Sequence, residues 1–120
     1  MTILAPKNRK EFADMMEFAV EHDGAIAIRY PRGNVYEGLA EYKAPILYGK
    51  SEVITKESEI AIFGCGHMME TAEQVWKSLK EKGYSCSLIN SRFVKPIDTD
   101  ILHEMAEGHR LFVTIEDAAV

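Results

Sequence analysis

The run Leu88-Ile89-Asn90-Ser91-Arg92-Phe93-Val94-Lys95-Pro96-Ile97-Asp98 holds a strand end, a basic loop and a helix start in one short piece of chain. Its apolar opening suits a buried strand, Pro96 cannot continue a central ladder, and Asp98 is a favourable helix N-cap. Ligands of open α/β sheets lie outside the carboxyl ends of the strands. Arg92, just past such an end, is therefore the first candidate for holding an anion.

Upstream, Cys86 to Asn90 reads as the strand itself, and a helix over Met69 to Lys82 precedes it. Ala72, Val75, Trp76 and Leu79 share one face of that helix, and Gly83 stops it. Before the helix come a Gly64-Cys65-Gly66 turn and a buried-type strand, Ile60 to Phe63. Downstream, Asp98 opens a helix with Ile101, Leu102 and Met105 inward, Ile97 and Leu102 stand at hydrophobic-staple positions, and Gly108 ends it. Leu111 to Ile115 is the last strand. The order β-α-β-α-β with short turns specifies an α/β fold: a mainly parallel sheet, right-handed crossovers and helices on its faces. Parallel strands are covered on both faces, yet no helix follows Ile115, so the chain reads as cut from a longer one.

The amino-terminal part adds a helix-strand piece. Asn8 with Glu11 three residues on matches a capping box, and Phe12, Met15, Met16 and Ala19 recur at helical spacing. These place a helix over Arg9 to Glu21. Ala25 to Ile28 is a short apolar run of the kind covered on both faces, closed by Arg29-Tyr30-Pro31-Arg32-Gly33. Periodicity disappears from Asn34 to Pro45, which marks a linker and a domain boundary, dividing the chain into 1–38 and 39–120. Ile46 to Thr55 reads as an edge strand.

Composition narrows the function. The 120 residues are 47% hydrophobic and 28% charged, an ordinary globular balance. A formal net charge of -5 argues against a nucleic-acid binder, which carries a basic face, so any anion site is local. No apolar run approaches the ~20 residues of a membrane span, and no signal-peptide pattern opens the chain. Two cysteines without C-x-x-C spacing make neither a zinc framework nor a disulfide scaffold. A cytoplasmic location is the expectation.

Arg29 and Arg92 each follow a strand end, and two guanidinium forks from different strand ends can converge on one phosphate or carboxylate. The competing reading is surface pairing with the 19 acidic residues. Arg32 and Lys95 lie further into their loops and read as solvated or paired. Gly64-x-Gly66 resembles the start of a dinucleotide fingerprint, but Met69 stands where a third glycine or alanine belongs, so a tight strand-to-helix turn is the simpler explanation. His67 has no partner at metal spacing, and His22, His103 and His109 read as structural. Glu116-Asp117 could supply an acid, a base or a solvated turn. Cys65, Cys86, Trp76 and the methionines read as core or interface material.

Arg29-Tyr30-Pro31-Arg32-Gly33, Arg92-Phe93-Val94-Lys95-Pro96-Ile97-Asp98 and Thr114-Ile115-Glu116-Asp117 together resemble the 1-deoxy-D-xylulose-5-phosphate synthase family. The stretch resembled is the end of its pyrimidine-binding domain plus the first half of its transketolase C-terminal domain. The opening Met1 to Lys7 resembles an internal stretch of the same family. The resemblance implies a homodimeric transferase that uses thiamine diphosphate and Mg2+ to condense pyruvate with D-glyceraldehyde 3-phosphate, releasing CO2, at the entry to isoprenoid synthesis. It also implies that Arg29 and Arg92 contact the phosphate of the acceptor aldehyde. The family's magnesium motif, its histidines near the thiazolium and its activating glutamate lie outside this stretch. The 120 residues are accordingly expected to bind no cofactor and to be inactive alone. Two alternatives stay open: a fragment of a thiamine-dependent 2-oxoacid dehydrogenase β-subunit or a transketolase, and a non-catalytic assembly module.

Overall fold

The computed structural model describes residues 1–30 and 36–116. The readings placed on Arg32 and Asp117 lie outside the described residues. Among the described residues, seven strands form two sheets. In the first, β1 (Thr2–Leu4) runs parallel to β2 (Ile26–Ile28), with α1 (Arg9–Glu21) between them, and antiparallel to β6 (Phe93–Lys95). The second has the order β3-β5-β4-β7: β5 (Cys86–Asn90) and β7 (His109–Ile115) both run parallel to β4 (Glu59–Gly64), and β3 (Glu52–Thr55) is an antiparallel edge on β5. α2 (Met69–Glu81) links β4 to β5, and α3 (Thr99–Ala106) leads into β7.

Because β5 and β7 flank β4 on opposite sides, crossovers of one hand must put their helices on opposite faces, and the cores show this. Ile60, Ile62, Cys86 and Leu88 pack with Met69 and Ala72 of α2, joined by Val75, Trp76 and Leu79. Ala61, Phe63 and Ile89 pack with Met105, Ile101 and Leu102 of α3 on the other face. A third cluster, Leu4, Met15 and Phe93 with Phe18, Ile26 and Ile28, lies under α1.

Local signals place the helices. The Asn8 side chain accepts from the Glu11 amide at 2.8 Å, and that of Asp98 accepts from the Ile101 amide at 3.2 Å. The buried face of α1 is turned relative to the sequence expectation: Glu11 and Met15 are buried while Met16 is exposed. Two runs expected to be covered on both faces are only partly so. β2 and β7 are the outer strands of their sheets, and Leu111 and Phe112 of β7 are exposed. Leu39 is buried in the α2-side core, and Tyr36 and Tyr42 pack against that core, so residues 36–42 of the aperiodic segment are docked on the second sheet. Ile97 stays exposed instead of stapling the start of α3.

The glycines of the β4 turn are accounted for by packing. A Cβ on Gly64 would lie 2.4 Å from Met69 Sδ and 2.8 Å from Ala72 Cβ, so α2 sits directly on the strand end. Gly66 has φ +61° and approaches Ala5. Neither leaves an open cradle for a diphosphate.

Candidate functional site

β1 ends between the two arginines singled out by the sequence. The Arg29 amide donates to the Leu4 carbonyl at 2.8 Å, and the Ala5 amide donates to the Arg92 carbonyl at 2.7 Å. The two backbones therefore flank one strand end, roughly 10 Å apart, or two strand spacings. Their side chains keep different company.

Arg92 is 2% exposed. Its Nε donates to Glu11 Oε2 at 2.9 Å, Nη1 to the Pro45 carbonyl at 2.8 Å and Nη2 to the Ala44 carbonyl at 2.7 Å, with Glu52 Oε2 3.1 Å from Nη2. Lys7, equally buried, places Nζ 3.1 Å from Glu11 Oε2, 2.8 Å from Glu52 Oε1 and 2.9 Å from the Tyr42 carbonyl. Asn90 Nδ2 donates to both carboxylates as well, while its Oδ1 has no partner. Two cations facing two carboxylates make the cluster neutral, the condition under which buried charge is tolerable. Burial pushes the Glu52 carboxyl up, but the Lys7 ammonium, the Ala44 amide and Arg92 together outweigh it and hold the group below its ordinary value. Arg92 also has φ +62°, a left-handed backbone that costs a non-glycine residue about 1–2 kcal/mol. Such strain persists only where the surroundings over-determine it.

Arg29 is the accessible one. Its side chain is 45% exposed, and Nη2 donates to Glu116 Oε1 at 3.1 Å, at the carboxyl end of β7. Beside this pair lies a cleft of about 250 Å³ at the carboxyl ends of β4, β5 and β7. Phe63, Phe93, Ile101 and Leu102 give it an apolar floor, and Ser51, Cys65, Ser91 and Asp98 line it with polar atoms. Here the connections from β4 and β5 leave toward opposite faces, the place where open α/β sheets hold ligands. Burial, and next the Glu116 charge, push the Cys65 thiol up to about 11, with Arg29 opposing.

The remaining sequence candidates fall elsewhere. Lys95 is exposed at the end of β6. His67 lies in the 3₁₀ turn after β4 and lines a different hollow, with Phe12, Tyr30 and Tyr36. His109 is a strut: its Nε2 meets Ser87 Oγ at 2.7 Å and its Nδ1 faces the Met105 carbonyl at 2.6 Å. Among the described residues, no group of three His, Cys, Asp or Glu could hold a metal ion, and no helix is long and apolar enough to cross a membrane. The sequence reading missed Lys7, Glu11 as an ion-pair partner, Glu52 and Asn90. Only Glu11 had carried a signal, as the N3 residue, three after the N-cap, of a capping box.

Residues 49–120 match the family described as transketolase, C-terminal domain. Across nearly the whole chain, the sequence is 45% identical to a 1-deoxy-D-xylulose-5-phosphate synthase of Lachnoclostridium phytofermentans, covering 98% of this chain and 19% of that protein. It is 44% identical to the synthase of Methylacidiphilum infernorum, again over 98% of this chain and 19% of the relative. The fold also superposes on a solved split-gene transketolase, described as an inactive beta4 tetramer. The TM-score is 0.90 at 25% identity, covering 98% of this chain and 39% of that one. The chain thus spans about a fifth of the length of the curated relatives it matches.

Proposed function

Because the chain belongs to the transketolase C-terminal-domain family, we propose that it is the acceptor-recognition part of a cytoplasmic, homodimeric 1-deoxy-D-xylulose-5-phosphate synthase. The parent would condense pyruvate with D-glyceraldehyde 3-phosphate, releasing CO2 and supplying isoprenoid synthesis. The fold is shared with transketolase, so it does not separate the candidate enzymes. The 45% identity to a synthase over 98% of the chain favours this one. In this reading residues 1–38 end one domain and 39–120 begin the next. In the same reading thiamine diphosphate and Mg2+ would supply the carbanion chemistry and be held by other parts of the parent.

The observation that carries the proposal is the strand end shared by Arg29 and Arg92. Arg29, exposed, meets the acceptor phosphate directly. Arg92, whose guanidinium is occupied by Glu11, Glu52 and the Ala44 and Pro45 carbonyls, would reach the phosphate only by releasing those carbonyls and the Glu52 carboxylate. Titration of D-glyceraldehyde 3-phosphate into the 120-residue chain, followed by amide NMR, tests this. Saturable shifts near Arg29 and Glu116 are expected. Arg29→Gln should weaken them about 10-fold or more, the worth of a charge-assisted hydrogen bond. No saturable shift in the unaltered chain refutes the proposal. Turnover of pyruvate and glyceraldehyde 3-phosphate by the purified chain would refute its inactivity alone.

A further inference from the structure

We propose that Glu116 is a resident ligand of Arg29, so that an incoming anion binds by exchange, displacing this carboxylate from the guanidinium. The inference rests on the acceptor-phosphate reading and specifies how that site would fill. Arg29 is accessible but already has an anionic partner: Nη2 is on Glu116 Oε1 at 3.1 Å, and the two side chains are 45% and 41% exposed. Glu116 comes from the end of β7 and Arg29 from the end of β2, in different sheets. The pair therefore bridges two separately supported strand ends. Each partner is exposed enough to part from the other without leaving a buried charge, unlike Arg92, whose carboxylate partners are 2–3% exposed.

Exchange has a quantitative signature. A ligand that must first release Glu116 has its apparent affinity divided by one common factor, whatever the ligand, because the competent state is only a fraction of the population. For a half-exposed ion pair that factor is about two- to fivefold. If Glu116 instead stayed in place and repelled ligands through its charge, a dianion would suffer more than a monoanion. Exchange thus lowers the affinity of every anion alike and leaves the preference between them unchanged.

The test compares the 120-residue chain with Glu116→Gln, Arg29→Gln and the double variant, titrated with inorganic phosphate and with acetate at constant ionic strength. Exchange predicts that Glu116→Gln tightens both anions by the same two- to fivefold, and that the gain vanishes in the double variant. A gain for phosphate clearly larger than for acetate overturns exchange in favour of simple repulsion. No gain, or a loss, overturns it outright, and if phosphate binding still depends on Arg29 the acceptor reading stands. If neither anion titrates in any variant, the acceptor reading itself fails and this inference with it. The Cys65 thiol reports on the pair without ligand. Its alkylation should speed up in Glu116→Gln and slow down in Arg29→Gln, since Glu116 raises and Arg29 lowers its pKa. An unchanged thiol in both variants would mean that neither charge stands beside Cys65, against the strand-end placement of the pair on which exchange rests.

Discussion

Replacing Arg92 by methionine separates the two arginines that the sequence treats alike. Arg92 contacts Glu11 at 2.9 Å and Glu52 at 3.1 Å and caps the carbonyls of Ala44 and Pro45. Methionine fills much of the volume but leaves two carboxylates facing Lys7 alone, a net buried charge of about one unit. Breaking a buried pair from one side costs about 3–5 kcal/mol. The lower end is expected here, because Lys7 remains within 3.1 Å of both carboxylates and the exposed Ala44-Pro45 segment can return its carbonyls to water. For a domain of this size the loss is a drop in Tm of roughly 10–20 °C. The same change at Arg29 removes an exposed pair worth about 0–1 kcal/mol. Urea unfolding followed by circular dichroism measures both. The decisive control is Arg92→Met with Glu11→Gln, which returns the cluster to neutrality and should recover part of the loss. The reasoning is refuted if Arg92→Met costs less than about 1 kcal/mol, or if the second substitution simply adds to the first.

The other predictions are simpler. Glu52, whose carboxyl is held below its unfolded value of 4.5, contributes stability that is complete above that value and is lost as pH falls through the lower folded one. Unfolding free energy should therefore drop more steeply below about pH 4.5 in the unaltered chain than in Glu52→Gln. Gly64→Ala forces a methyl group to within 2.4 Å of Met69 and 2.8 Å of Ala72 and should cost about 1–3 kcal/mol by overpacking, read as a shift in urea midpoint. Unchanged midpoints would mean that α2 can lift from β4 freely.

Much of the fold was legible because its signals are local. Asn8 and Asp98 cap helices through bonds three residues long, and the strand Cys86–Asn90 and helix Arg9–Glu21 have the bounds that the sequence implies. β1 and β6 were not legible: each has three residues, and they become strands by pairing with each other across the fold. The exposure of β7 escaped for a related reason. An apolar run looks the same at the centre of a sheet as at its edge. For the site, both arginines were placed correctly at strand ends, but their different surroundings depend on Glu11, 81 residues before Arg92 in sequence, and on Glu116, 87 residues after Arg29.

The buried cluster also bears on why this stretch can present a charged loop at all. A hydrophobic cluster of similar volume would serve stability as well as buried ions do, so the ions answer to something other than stability. Lys7 and Glu11 belong to the start of α1, Glu52 to β3, and Arg92 and Asn90 to the end of β5, so the cluster joins the two sheets where their strand ends meet. Apolar side chains slide past one another at little cost, whereas each carboxylate here is held by donors from several parts of the chain at once, Lys7, Asn90 and Arg92 among them. A shift of β1 against β5 by one residue would separate Arg92 from Glu11 and strand both in the interior. The cluster therefore fixes the register between the sheets, and with it the separation of the two arginines flanking Leu4 and Ala5. The phosphate clamp proposed for Arg29 and Arg92 would require that fixed separation.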